Sequence, residues 1–307
     1  MIRKDEMIVE PYIFNGLRGR KAYSPAQNRS SKNFLIVYGQ HVSIERLEPM
    51  IKFLSNYGNV YLFDNPGFGN MEPSYKLGKP PTLDFYSDHI KNIFDNELPK
   101  DKKFHIVAIS FGMQVVTHFL QKHPKYQKRV DIVISFVGFI HHKELSIPRS
   151  INWLLKYVLG GFGKTLPGSL IYRYILLQPV FLIPIYLSLT PFDKQLVGKP
   201  LRKKWQYAVE QSWLWKYNDP RTHAFTAWQF ITHTDLTNKS VGLDCHHVYA
   251  AKDQYIDNDM VTSNLKKVFD HVETHALNLP AHSPIDIEAE YKIAELLPKK
   301  VIDIIES

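Results

Sequence analysis

The stretch "HIVAISFGMQVV", residues 105–116, runs from strand-favouring residues into Ala108-Ile109-Ser110-Phe111-Gly112 and then into a helix-like segment. A serine on a sharp strand-to-helix turn needs small residues two before and two after it, because larger side chains would strike neighbouring backbone. The usual spelling is Gly-x-Ser-x-Gly; here Ala108 takes the first place and Gly112 the second. One methyl group is the smallest available departure. The pentapeptide alone does not separate a nucleophile from an ordinary turn, so the role of Ser110 rests on the rest of the chain.

Working outward, apolar runs of strand length alternate with helix-length amphipathic segments. "MIVEPYIF" (7–14) and "RKAYSPA" (20–26) read as a leading antiparallel pair. "NFLIVYG" (33–39) is a continuous apolar run, as expected of a strand covered on both faces, and a helix follows it over 43–58, with Ser43 as cap and Gly58 as terminator. "NVYLFD" (59–64), "FHIVAIS" (104–110), "VDIVISFVGF" (130–139), "LDCHHVYAA" (243–251) and "HVETHALNL" (271–279) supply further strands. Helical segments stand at 83–98, 111–123, near 258–270 and from about 286. Repeated βα units predict an α/β protein with a mostly parallel sheet, right-handed crossovers and helices on both faces. Ser110 then falls at the carboxyl edge of the sheet, where such folds bind ligands, and at a helix N-terminus, whose free N–H groups favour developing negative charge.

Composition bounds the chain. With 307 residues, 44% apolar and 22% charged, it can bury a full core. Its one cysteine, Cys245, excludes an intramolecular disulfide and a thiolate metal cluster, and reads as core filler. The charged N-terminal residues do not form a signal peptide, so the expected location is cytoplasmic. Net charge is +8, and its placement is uneven: between Leu145 and Thr232 there are eleven Lys/Arg against three acids, and all five tryptophans lie in the same window. That shift marks an inserted unit at 141–238, dividing the core into 1–140 and 239–307. Its "ILLQPVFLIPIYLSL" run (175–189) is shorter than a membrane span and broken by Pro179 and Pro184, which suits a broken helix lining a pocket or lying on an interface.

A serine nucleophile needs a base, and the base an orienting carboxylate. Asp253 stands two residues beyond the strand ending near Ala251, and His282 three beyond the strand ending near Leu279. The order Ser110, Asp253, His282 is that of the α/β-hydrolases. The chain resembles that superfamily over about residues 8–305. "LIVYGQH" matches its oxyanion loop, "DNPGFGN" (64–70) the loop after the next strand, "VAISFGM" the elbow, "AAKDQYID" the acid loop and "LPAHSPI" the histidine loop.

The resemblance implies an α/β-hydrolase fold in which the insertion is a mainly helical cap over the site. It also implies a triad of Ser110, Asp253 and His282, with an oxyanion hole from the backbone N–H groups of Gln40 and Phe111 and with Gly39 and Gly112 shaping the loop and elbow. The family often has His-Gly where this chain has Tyr38-Gly39. Asp257 and Asp259 stand near Asp253 as rival acids; Asp253 matches the family's Lys-Asp register. The pairs His141-His142 and His246-His247 read as structural or surface residues with diverging side chains, lacking the helical spacing of a metal pair.

"NPGFGN" lacks the third glycine of a dinucleotide fingerprint and reads as a loop beside the site. No metal, no organic cofactor and no nucleic acid is expected. The expected activity is serine hydrolysis of a carboxylic ester through an acyl-enzyme. A C–C bond hydrolase or acyltransferase using the same triad, and a non-catalytic binder of a small apolar ligand, stand as alternatives. A greasy, cationic cap suits an amphiphilic ester with an anionic end, or peripheral contact with an anionic membrane.

Overall fold

The computed structural model describes residues 7–28, 32–189, 196–251, 253, 255–277 and 290–306. β1 (Ile8–Phe14) and β2 (Leu17–Ser24) form the leading antiparallel hairpin, turned by Asn15-Gly16 with both residues at positive φ. The parallel strands are β3 (Asn33–Val37), β4 (Asn59–Phe63), β5 (Phe104–Ile109), β6 (Val130–Phe136), β7 (Val241–Ala250) and β8 (Phe269–Leu277). They join β1 and β2 in one sheet of order β1-β2-β4-β3-β5-β6-β7-β8, with β2 antiparallel to β4. Every residue of β3 is buried, as its unbroken apolar run requires in a sheet covered on both faces.

Helices α1 (Ile44–Ser55), α2 (Leu83–Asn96) and α3 (Phe111–Lys122) connect these strands. Between β6 and β7 the described chain forms helices: α4 (Arg149–Lys164), α5 (Leu166–Ile171), α6 (Pro179–Leu189), α7 (Leu201–Leu214) and α8 (Pro220–Thr232). α9 (Asn258–Val268), α10 (Glu290–Leu296) and α11 (Lys299–Glu306) complete the fold. The C-terminal segment, which reads as one helix, is two, because Pro298 offers no N–H to continue α10. Ser43 takes the N-cap position of α1 without a side-chain capping bond, and that helix ends at Ser55, before Gly58.

Strand order points to a candidate site. The chain leaves β3 for β4 on one side and returns to β5 on the other, so the crossovers diverge between the carboxyl ends of β3 and β5. Ligands in open α/β sheets bind at such a switch point. Val37 pairs with Ala108 across these strands, which sets Gly39 level with Ser110.

Candidate active site

Ser110 has φ 51° and ψ −121°, a conformation that a residue with a Cβ adopts only under constraint and that costs about 1–3 kcal/mol. Two backbone bonds hold it there. Its N–H donates to Phe136 O of β6 at 2.9 Å, and its carbonyl accepts from Met113 N at 2.9 Å to start α3. The small flanking residues are required by close approach. A Cβ on Gly112 would stand 2.1 Å from Val37 O, and one on Gly39 would stand 3.0 Å from the Ser110 Cβ and 3.3 Å from Phe111 N. Ala108 is fully buried, so the elbow accepts one methyl at that place.

The contrast between glycines gives a direct test. Gly112→Ala drives a methyl into backbone that cannot yield, and is expected to cost more than about 3 kcal/mol in chemical denaturation. Gly161→Ala, inside α4 with nothing within 4 Å of the added Cβ, is expected to be neutral or stabilising by up to about 1 kcal/mol.

The loop after β3 is fastened from below by Tyr38. Its hydroxyl donates to Asp64 Oδ1 at 3.2 Å and accepts from Asn65 N at 2.8 Å, while Asn65 Nδ2 donates to Tyr38 O at 3.1 Å. Asp64 is fully buried and pairs with Arg20, Nε to Oδ2 at 3.0 Å; burial raises its carboxyl to about 7 against the opposing pull of Arg20. Through these bonds Tyr38 holds the loop in place. From above, the Gln40 side chain donates to Thr226 Oγ1 and to His223 O of α8, the latter at 3.4 Å.

The "NPGFGN" loop meets the same helix region. Gly67 and Gly69 both take positive φ, and a Cβ on Gly67 would stand 2.5 Å from Thr222 Oγ1. Asp219 N donates to Gly67 O at 2.7 Å and Asn70 N to Tyr217 O at 2.8 Å.

Beside Gln40, the His41 ring lies 4.3 Å from that of Trp215, which also meets His223 at 4.8 Å and Tyr172 at 5.8 Å. Burial pushes His41 down to about 3 and His223 down to about 4, so both are neutral at physiological pH. A histidine with a depressed native pKa contributes stability above its unfolded pKa of about 6.5 that is lost as pH falls toward the folded value. Melting temperature is therefore expected to hold near pH 7 and drop between pH 6.5 and 4. The core histidines His89, lowered to about 3, and His247, lowered to about 4, add to the slope. His223→Asn should flatten it by about 2 kcal/mol at pH 4.5.

Of the acid candidates, Asp253 lies just past β7, its N–H donating to Ala250 O at 3.1 Å and its Oδ1 accepting from Tyr255 N at 2.8 Å. Asp257 is the N-cap of α9, accepting from Met260 N at 3.0 Å, and Asp259 is exposed in the first turn of that helix. His282 lies outside the described residues.

One buried carboxylate near the candidate acids that the sequence does not single out is Glu144. It is fully buried after β6, and its Oε2 accepts from Ile140 N at 2.7 Å and His141 N at 3.0 Å. Its Oε1 accepts from Asn264 Nδ2 of α9 at 2.7 Å, and its carbonyl accepts from Asp257 N at 2.8 Å. Glu144 thereby holds the loop that carries Asp253. The only sequence signal is a capping-box spacing, His141-x-x-Glu144, with histidine in place of the usual serine.

The histidine pairs differ from expectation in part. His141 and His142 do not diverge; their rings stack at 4.3 Å because the chain turns there, with His141 accepting from Lys143 N and His142 set against Thr234 O. On strand β7, successive side chains do diverge. His247 is buried against Ser135 Oγ at 3.1 Å, whereas His246 joins Glu273 and His275 of β8. The separations among His246 Nδ1, Glu273 Oε2 and His275 Nε2 are 3.5–3.8 Å, which leaves a point about 2.1 Å from all three, the bond length of a zinc site. Lys300 Nζ sits 3.2 Å from the other Glu273 oxygen. This trio could hold a metal ion; helical spacing does not reveal it because the period along a strand is two.

No protein-family model matches the chain, and no curated protein matches it in sequence. Solved structures do match in shape. The enol-lactonase from Burkholderia xenovorans LB400 superposes with TM-score 0.67 and 12% identity, covering 97% of this chain and 100% of its own. A thermophilic esterase from Thermogutta terrifontis gives TM-score 0.64 and 13% identity over 98% and 100% of the two chains. The meta-cleavage product hydrolase from Pseudomonas fluorescens IP01 gives 0.62 and 14% over 96% of each. With its sheet order, its switch point at Gly39 and Ser110 and these near full-length superpositions, the chain has the α/β-hydrolase fold.

Proposed function

We propose that the protein is a serine hydrolase that cleaves a carboxylic ester of an apolar or amphiphilic substrate. The observation that carries this reading is the Ser110 backbone, held at φ 51° beside the Gly39 loop with the Phe111 amide at its shoulder. Strain of this kind persists where the surroundings over-determine it, and an exposed nucleophile is the use such a turn serves.

In this reading Ser110 Oγ attacks the ester carbonyl, and His282 takes its proton and returns it to the departing alcohol. Asp253 orients His282, and water then releases the acyl group by the reverse path. The N–H groups of Gln40 and Phe111 bind the tetrahedral oxyanion, each contributing about 3 kcal/mol. The helices α4–α8, within 141–238, form the cap. Trp215, Tyr172 and the neutral His41 offer an apolar aromatic wall next to the oxyanion loop, suited to an acyl or aryl group.

The test is labelling with a fluorophosphonate probe beside a Ser110→Ala control, followed by p-nitrophenyl esters of increasing chain length. Labelling of the native protein alone, with ester turnover, is the expected result. Labelling without turnover would move the reading to C–C cleavage or acyl transfer on the same triad, and absence of labelling to a small-ligand binder.

A further inference from the structure

Large apolar side chains are exposed on one part of this molecule. Of 23 such residues among the described ones, 19 lie between Ile151 and Tyr217. α4 shows the pattern at its simplest. One side packs on α8 through glycines, with a Gly160 Cβ position 3.1 Å from Trp228 and a Gly163 one 2.5 Å from Phe225 N. Nearer its N-terminal end the same helix presents Trp153 at 64% and Tyr157 at 67% exposure. α6 buries Leu182 and presents Val180, Phe181 and Ile185. Monomeric soluble proteins rarely leave so many large apolar side chains uncovered in one segment.

Charge says what covers it. In the described residues from 151 to 232 there are nine Lys/Arg against two acids, and one of those acids, Asp219, is engaged by Arg173 and by the α8 cap. A second copy docking by the same face would set these cations against their own kind. An anionic bilayer would not, and the side chains at the surface are those of a membrane interface: Trp and Tyr among aliphatics, with Lys and Arg able to reach headgroups. The stretch Leu201-Arg202-Lys203-Lys204-Trp205 carries both features within five residues, with Leu201 at 74% exposure.

Among the described residues no single helix is long and apolar enough to cross a membrane. The segments Leu166–Leu176 and Pro179–Ser188 reach that character only together, bent by 76°. A pair bent this sharply can lie along an interface, with the flanking cations reaching the headgroups.

We propose that the outer face of α4–α7 docks on an anionic lipid bilayer, with the bent α5–α6 pair in the headgroup and acyl boundary and the Arg202–Lys204 cluster on acidic headgroups. This stands whether or not Ser110 is a nucleophile, and it is tested on full-length Ser110→Ala protein so that turnover of lipid plays no part. The protein is floated with vesicles of 7:3 phosphatidylcholine and phosphatidylglycerol, and with phosphatidylcholine alone. Tryptophan quenching by brominated lipid is read on the same samples.

The expected result is flotation with the anionic vesicles, at least tenfold stronger than with the neutral ones, together with quenching. Reversal of Arg202, Lys203 and Lys204 to Glu, and separately Phe181→Asp with Ile185→Asp, should each weaken binding at least tenfold while the circular dichroism spectrum is unchanged. Failure of the parent protein to float, or flotation without quenching, overturns the proposal without recourse to any variant. So does a concentration-dependent dimer that neither floats nor is quenched, which would assign the face to a second copy.

Discussion

Ser110→Ala is expected to lower kcat for a p-nitrophenyl ester by about 10⁵-fold or more, with little change in KM, because the nucleophile acts only in the chemical step. In the proposed mechanism the residual rate above water should not vanish, since the amides of Gln40 and Phe111 would still bind the oxyanion. A second replacement separates chemistry from structure. Ser110→Gly also removes the hydroxyl, but glycine takes φ 51° without a Cβ penalty, so thermal denaturation is expected to show a gain of about 1 kcal/mol as activity is lost. An activity loss with no gain in stability would indicate that the turn is relaxed, and the argument from backbone strain would fail.

Asp253→Asn is expected to lower kcat about 10⁴-fold, since an amide favours the wrong histidine tautomer while preserving shape. The neighbouring acids should behave otherwise. Asp257 caps α9, so Asp257→Ala is expected to cost about 1 kcal/mol in denaturant while leaving kcat within a fewfold of the parent. Asp259→Ala, on an exposed first turn, should change neither. Steady-state kinetics on the three variants decide which carboxylate orients the base, and a collapse of activity in Asp257→Ala with Asp253→Asn intact would transfer the role.

Much of the architecture is legible in the order of residues. The apolar runs at 33–39, 59–64 and 104–110 read as covered strands because the backbone period and β-branched content are local properties. Ser110, Gly112 and the Gly39 loop are legible for a related reason, since tight turns accept few side chains and leave a spelling behind. Only the Lys-Asp register separates the rival acids in the sequence, because a helix cap and a triad acid have the same chemistry. Glu144 is hidden for a further reason: its value comes from amides of its own loop and from Asn264, 120 residues away.

By itself, then, the sequence determined the alternation of strands and helices, the elbow at Ser110 and the concentration of tryptophan and positive charge between 145 and 232. These follow from local sterics and composition. Tertiary structure alone decided that Val37 O and Ser110 press on the two glycines, and that Tyr38 locks the loop after β3 to Asp64. It also turned the apolar side chains of α4–α7 outward rather than into a core. Close approach between strands and the side of a helix left uncovered depend on what packs against what, and no local pattern carries that information.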